Sequence, residues 1–387
     1  MTARLPPSLS ILGTRGIPAR HGGFETFAEH FACHLADRGW QVRVFCQEEG
    51  AQAGWEDRWQ GVRLVHVPSR LKGPAGTVEF DLRCVALVLR EPSDVHLTLG
   101  YNTALFSVLL RLRRLRNVFN MDGLEWKRSK WPLPVRGWFY LNEWLGCWLG
   151  NRLVADHPQI ARHLSRRGVA RKITMIPYGA DAIHAADAAV PASFGLKPGH
   201  YALVVARAEP ENSILEIVRA FSRRRRHLML VVVGAYDPRR FSYHRKVFEA
   251  AGAEVRFIGP VYDRAALGAL RFHARWYFHG HRVGGTNPSL LEAMAAGCAV
   301  LAHDNPFNRW VAGDTALYFR NEYDCAVAIE RLLHDEAVLA ASREGSRRRH
   351  VERFEWPPVM EAYERLLLSC CGHEVPQQRE ACWADDP

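Results

Sequence analysis

The segment Gly284-Gly285-Thr286-Asn287-Pro288-Ser289-Leu290-Leu291-Glu292-Ala293-Met294-Ala295 carries the densest chemistry in this sequence. Its glycines run straight into a helix that bears one carboxylate. Pro288 suits a first helical position, where no N–H is needed, and Asn287 before it can cap. The backbone N–H groups of Gly285, Thr286, Asn287 and Ser289, with the helix dipole behind them, make a site for phosphate. Glu292 lies about one turn further in, and Cβ atoms lean toward a helix N-terminus. Its carboxylate can reach back to a ribose or sugar hydroxyl beside that phosphate. Groups for a diphosphate and for a sugar in one short segment point to a nucleotide-sugar.

A second glycine loop, Gly13 to Thr26, joins the first strand-like run to the first helix pattern. Gly22-Gly23 lets backbone approach a phosphate or sugar closely. Neither the GxGxxG dinucleotide fingerprint nor the GxxxxGK[ST] phosphate loop occurs, which disfavours an NAD-dependent enzyme. His279 and His281 flank Gly280 just before the phosphate loop, but no third ligand follows at metal-site spacing. One histidine, His281, is read as a hydrogen-bonding group near the donor.

These loops need two scaffolds. Leu9–Leu12, Val42–Cys46, His96–Leu99 and Val118–Met121 read as strands, with a helix of apolar period from Phe24 to Leu35 between the first two. Val85–Leu89 is an apolar patch, and 103–112 reads as a helix. After a break near Ile176-Pro177-Tyr178-Gly179 the pattern restarts. Strands are read at 201–206, 228–233, 255–258, 276–278, 300–302 and 317–319, with helices at 214–221, 264–270, 288–296 and 324–334. Alternating β and α units imply parallel sheets with right-handed crossovers. The expectation is α/β: two Rossmann-like doubly wound domains, residues 1–180 and 181–355, with the ligand at strand C-termini between them. Residues 356–387 add a helix (358–368) packing back on the first domain, and a polar tail.

Composition narrows the class. The chain has 387 residues, is 48% hydrophobic and carries a formal charge of +10, which is ample for two cores. It holds no apolar run long enough to span a bilayer. The N-terminus lacks a signal-peptide core, so a cytoplasmic protein is expected. Nine cysteines without CxxC pairs read as reduced, mostly buried thiols. The basic runs at 111–116, 223–226 and 347–349 come without any nucleic-acid-binding module, so no nucleic-acid partner is expected. Phosphates and anionic lipid heads are the alternatives to plain solvated helix faces.

Taken together, Gly13–Thr26, Asn120-Met121-Asp122-Gly123-Leu124-Glu125-Trp126-Lys127-Arg128, Arg207-Ala208-Glu209-Pro210-Glu211-Asn212 and His279 through Ala295 resemble a retaining GT-B glycosyltransferase of family 4. The branch resembled is rhamnosyltransferase-like, with a GTRGIPAxxGGFET N-terminal domain. The resemblance implies a sugar transferase acting with retention on a nucleotide-sugar, a deoxyhexose such as rhamnose, in bacterial polysaccharide assembly, with no metal or other cofactor. It implies a saccharide or polyprenyl-diphosphate-linked acceptor. Arg207 matches the arginine that clamps the donor diphosphate, and Glu292 the ribose-binding glutamate. Asp122 falls where relatives place an active-site histidine. The implied catalytic set is Asp122, Arg207 and Glu292. The donor set is Gly22, Gly23, Gly285, Thr286, Asn287, Ser289, Glu292 and His281, and the acceptor set is Glu25, Asp122 and Glu125.

Two departures stand out. The first glutamate of the EX7E pattern would fall at Gly284, and the lysine usual after Arg207 is replaced within Glu209-Pro210-Glu211-Asn212. Arg282, Arg15 or Arg20 is the substitute cation. These losses keep a non-catalytic nucleotide-sugar-binding subunit, or a nucleotide-sugar epimerase of the same fold, as the alternative. Between Trp126 and Trp148, basic residues alternate with indoles as at a membrane interface. This supports peripheral contact at the inner face of the cell membrane. The competing reading places Trp138, Leu141, Leu145 and Trp148 in a core.

Overall fold

The computed structural model describes residues 6–19, 22–50, 52–128, 130–372 and 383. The chain divides into two units, Met1–Tyr178 with Trp356–Pro387, and Gly179–Glu355.

The first unit is built on an eight-stranded sheet. Its strands are β1 (Ser8–Leu12), β2 (Gln41–Glu49), β3 (Trp55–Trp59), β4 (Val62–Ser69), β5 (Val95–Leu99), β6 (Asn117–Asn120), β7 (Arg152–Ala155) and β8 (Ile173–Met175). They lie in the order β3-β4-β2-β1-β5-β6-β7-β8, and every pairing is parallel except β3 with β4. Helices α1 (Gly23–Asp37), α2 (Gly73–Arg90), α3 (Ser107–Leu112), α4 (Leu133–Leu149) and α5 (Pro158–Leu164) connect them. Helix α1 forms because Phe27, Ala28, Phe31, Ala32 and Leu35 recur on one face, and all are buried. The last helix, Trp356–Cys371, packs on that helix: the Phe27 and Tyr363 rings meet tilted with centroids 4.6 Å apart, and Arg38 pairs with Glu364 at 2.7 Å.

The second unit has six parallel strands, β9 (Tyr201–Val205), β10 (Met229–Val233), β11 (Val255–Gly259), β12 (Trp276–His279), β13 (Ala299–His303) and β14 (Leu317–Phe319), in the order β11-β10-β9-β12-β13-β14. Continuous apolar runs such as Met229–Val233 suit strands covered on both faces. Its helices are α6 (Ala189–Ser193), α7 (Ile214–Ser222), α8 (Ser242–Glu249), α9 (Arg264–Phe272), α10 (Pro288–Ala295), α11 (Pro306–Ala312), α12 (Glu322–His334) and α13 (Glu336–Arg353). One apolar layer joins Ile217, Phe221, Val247 and Ile329 to one face of the sheet. Another joins Leu270 and Ala293 to Tyr201 and Tyr277.

Several elements depart from the sequence reading. Val85–Leu89 belongs to α2, where Phe80, Cys84, Val85 and Val88 share a buried helical face. The β3–β4 hairpin escapes notice because β3 is an exposed edge strand without apolar alternation. Helix α13 is long but polar over much of its length. All eight described cysteines are free, and five are buried. Cys382 and most of the polar tail lie outside the described residues.

Candidate donor and proton-transfer sites

Two strand ends in the second unit meet at the candidate donor site. After β9, Arg207 is exposed, and its guanidinium has no hydrogen bond or ion pair among the described residues. Its carbonyl accepts from Asn212 Nδ2 at 2.9 Å, which folds the segment back. That turn seats against the loop after β12. A Cβ on Gly280 would lie 2.1 Å from the Asn212 carbonyl oxygen, so only glycine fits there. Arg282 N–H closes the contact by donating to the Glu211 carbonyl at 2.9 Å. The Arg282 guanidinium donates to Ser213 Oγ at 2.9 Å and pairs with Glu216 at 2.6 Å. It is therefore engaged rather than open toward a phosphate. Arg20 lies outside the described residues.

Asn287 caps α10 as its residue type suggests, with Oδ1 accepting from Ser289 N–H at 3.1 Å and from the Ser289 hydroxyl at 3.0 Å. The Leu290 and Leu291 amides bond to the Asn287 carbonyl. The cap thus takes the first-turn donors that the sequence assigned to an anion. The amides of Gly285 and Asn287 are the ones without a partner among the described residues, while Thr286 is buried beside them. A Cβ at Gly284 would come no closer than 4.0 Å to its nearest neighbour, Asn287 Nδ2, so the place of the missing glutamate is open space. Glu292 is about 40% exposed in its side chain and pairs with Arg271 of α9 at 2.5 Å.

His279 is fully buried and neither ring nitrogen has a hydrogen-bond partner among the described residues. Its ring stacks on His281 at 4.3 Å. Burial, reinforced by His281 and His303, holds it well below the usual imidazole range, so it is neutral. His303 comes from β13, a third histidine that sequence spacing does not bring to the pair. The described residues nonetheless hold no group of three His, Cys, Asp or Glu placed to bind a metal.

In the first unit the carboxylates behave differently. Gly13, with φ of +77°, packs so tightly that a Cβ would lie 2.2 Å from the Leu99 carbonyl oxygen. Gly22 is the N-cap residue of α1, and the Tyr178 hydroxyl donates to the Gly23 carbonyl at 2.7 Å. Glu25 is buried and accepts from the Arg15 amide at 3.1 Å, tying the loop to its own helix. Glu125 pairs with Arg128 at 2.7 Å and accepts from Trp131 Nε1 at 3.1 Å. Asp122, just past β6, adopts φ of +48°, a region Asp tolerates better than most residues. Its amide donates to Asn120 Oδ1 at 3.1 Å. Burial first, then the Glu125 and Asp156 carboxylates, push its carboxyl up to about 7.

Helix α4 turns its polar residues inward. Asn142 and Glu143 are fully buried, while Leu133, Leu141 and Trp148 are 77%, 49% and 63% exposed. The reading of Leu141 and Trp148 as core is corrected: the inward face is organised by Glu143, which accepts from Trp126 Nε1 at 2.7 Å and pairs with Arg167 at 2.6 Å. Burial would raise Glu143, but His163 and Arg167 hold it below its ordinary value. Exposed Leu109 and Leu112 of neighbouring α3, with Arg111, Arg113 and Arg114, extend the apolar and basic surface. No described helix is long and apolar enough to cross a membrane.

The architecture, two Rossmann-like α/β units with parallel sheets, is the GT-B glycosyltransferase fold. Residues 191–349, most of the second unit, match the family of glycosyl transferases group 1. Residues 8–181 match a family described as a domain of unknown function, DUF1972. Sucrose-phosphate synthase from Thermosynechococcus elongatus superposes with a TM-score of 0.78 at 18% identity, over 94% of this chain and 98% of that one. HepE from Anabaena, in complex with UDP and glucose, gives 0.74 at 14% identity over 94% and 100%. An α,α-trehalose 6-phosphate synthase from Burkholderia multivorans gives 0.72 at 14% over 95% and 99%. No curated protein matches the chain in sequence.

Proposed function

We propose that the chain transfers a sugar, a deoxyhexose such as rhamnose, from a nucleotide-sugar to a saccharide or polyprenyl-diphosphate-linked saccharide, with retention, in bacterial polysaccharide assembly. The observation that carries the reading is the presence, after the adjacent strands β9 and β12 of one unit, of the open Arg207 side chain and of the Gly285–Glu292 loop and helix. A diphosphate between them would meet a cation, the Gly285 and Asn287 amides and the N-terminal end of α10. Glu292 then faces the ribose. A deoxythymidine donor would offer it the 3′-hydroxyl alone, and one carboxylate suffices for that. The bound UDP of the HepE structure supports a nucleotide ligand for this fold. A cavity of about 550 Å³ at the ends of β10 and β11, walled by Tyr236, Phe241, Phe248 and Phe257, suits a flat base by ring stacking.

In the transfer step the acceptor hydroxyl attacks from the face that the nucleoside diphosphate leaves. Its proton passes to the leaving phosphate oxygen, and Arg207 with the loop amides stabilises the charge that develops there. Asp122 is assigned to proton relay or acceptor orientation because its carboxyl titrates near neutrality. These cationic and amide groups require no metal. The exposed Leu, Trp and Arg side chains of α3 and α4 are assigned to the headgroup region of the inner membrane face, where a lipid-linked acceptor is presented.

Thermal melting of the full chain against a panel of nucleoside diphosphates and their sugars tests the donor site. A ligand at a hundred times its dissociation constant adds about 2.7 kcal/mol of stability. The expected result is a shift with one base, lost in Arg207→Ala and Glu292→Ala. No shift with any nucleotide refutes the transferase reading.

A further inference from the structure

Arg271 is 4% exposed and sits on α9, which packs against α10. Removing a guanidinium from water costs several kcal/mol unless partners compensate it. Here compensation is thin. Arg271 Nε has no hydrogen-bond partner, and the ion pair to Glu292 Oε2 at 2.5 Å is its only charged contact among the described residues. Glu292, by contrast, is well exposed and would be adequately solvated alone. Stability therefore gives little reason for this pair, since a buried apolar side chain at 271 would serve the core as well or better.

We infer that Arg271 is a positioning residue for the donor: it grips one oxygen of Glu292 from beneath and fixes the rotamer of that side chain, turning Oε1 toward the hydroxyls of the donor ribose. Glu292 has three side-chain torsions, and freezing them before the ligand arrives lowers the entropy cost of binding. Oε1 has no partner among the described residues and keeps its full acceptor capacity. The assignment rests on the donor reading above, because it gives Glu292 the ribose. Arg271 itself does not touch the ligand.

The test is titration calorimetry of the full chain with two probes, UDP and inorganic diphosphate, the second lacking the ribose. Arg271→Met, Arg271→Lys, Glu292→Gln and the Arg271→Met/Glu292→Gln double variant are compared with wild type, each first shown folded by its melting curve. Arg271→Met is expected to weaken UDP by about tenfold, equivalent to ~1.4 kcal/mol. The diphosphate should be unaffected. In the Glu292→Gln background the same change should add less than about twofold, because coupled residues are not additive. Arg271→Lys, keeping the charge without the fork, should recover part of the loss. Equal weakening of UDP and diphosphate, or losses that multiply in the double variant, would overturn the assignment in favour of a packing role. UDP binding that is unchanged in Arg271→Met overturns it while leaving the donor site intact. A wild-type chain that binds neither probe removes the donor reading and this assignment together.

Discussion

Each unit has a loop with a glycine pair that joins a strand to a helix carrying a glutamate within its first turns. Their polar groups do opposite work. In the first unit, Glu25 is buried and accepts from the Arg15 amide of its own loop. Glu125 of the same unit is likewise engaged by Arg128 and Trp131. In the other unit, Arg207 is open, the Gly285 and Asn287 amides are open, and Glu292 keeps one oxygen to offer. Similar residue types therefore make a self-closed support in one unit and a receptive surface in the other. Asp122 breaks the pattern in the first unit, with a carboxyl pushed up to about 7.

That exception gives the largest expected effect. Asp122→Asn should lower kcat by about 10²–10⁴-fold, the range of a general acid–base group. If the ionised form relays the proton, the wild-type rate rises with pH through about 7 and the variant profile is flat. Stability gives an independent check. The unfolded carboxyl ionises near 4, while the folded one holds its proton to about 7. Between those values this carboxyl keeps its proton in the native state and loses it in the unfolded one, so its contribution to stability falls as pH rises across that window. Asp122→Asn should remove that contribution and leave the share of Asp81, whose carboxyl burial pushes up to about 6. A variant that keeps the wild-type slope would show that another group titrates.

Next in size, Arg207→Ala should reduce kcat/KM by about 10²–10³-fold, the usual cost of one preorganised charge-stabilising donor. Its melting temperature should hardly move, because the side chain is exposed and unpaired among the described residues. Glu25→Ala reverses the signature. It strands the Arg15 amide in a part-buried loop, so a stability loss of about 1–3 kcal/mol by denaturant titration is expected. Nucleotide affinity measured on the same sample should stay at the wild-type value. A Glu25→Ala protein that is stable but no longer binds nucleotide would erase the contrast between the loops.

The sequence carried the strand-to-helix rhythm because buried parallel strands and amphipathic helices write strong periods, as β10 and α1 do. It carried Glu292 and Asn287 because a cap, a proline and a carboxylate fall within six residues. It did not carry β3, whose exposed WEDRW lacks alternation, or α4, whose Leu and Trp spacing mimics a core helix. Nor could spacing place Arg271 under Glu292, or His303 beside His279, since both arrive from separate elements through the sheet order. The engaged state of Arg282 depends on Glu216, a turn of α7 that no local motif connects to it.

The smallest effect separates capping from anion binding at α10. Asn287 Oδ1 accepts from both the amide and the hydroxyl of Ser289, so the side chain holds the helix start while its own amide has no partner among the described residues. Asn287→Ala removes the cap but leaves that amide. Helix N-cap losses cost about 1 kcal/mol, and a stability loss of that order is expected by denaturant titration. The Ser289 amide, released from the cap, becomes a new donor at the loop, so diphosphate binding should be retained within about twofold, under ~0.4 kcal/mol. Loss of diphosphate binding beyond that would mean the Asn287 side chain itself reaches the ligand, and the division between a helix that is held and a loop that binds would have to be redrawn at this residue.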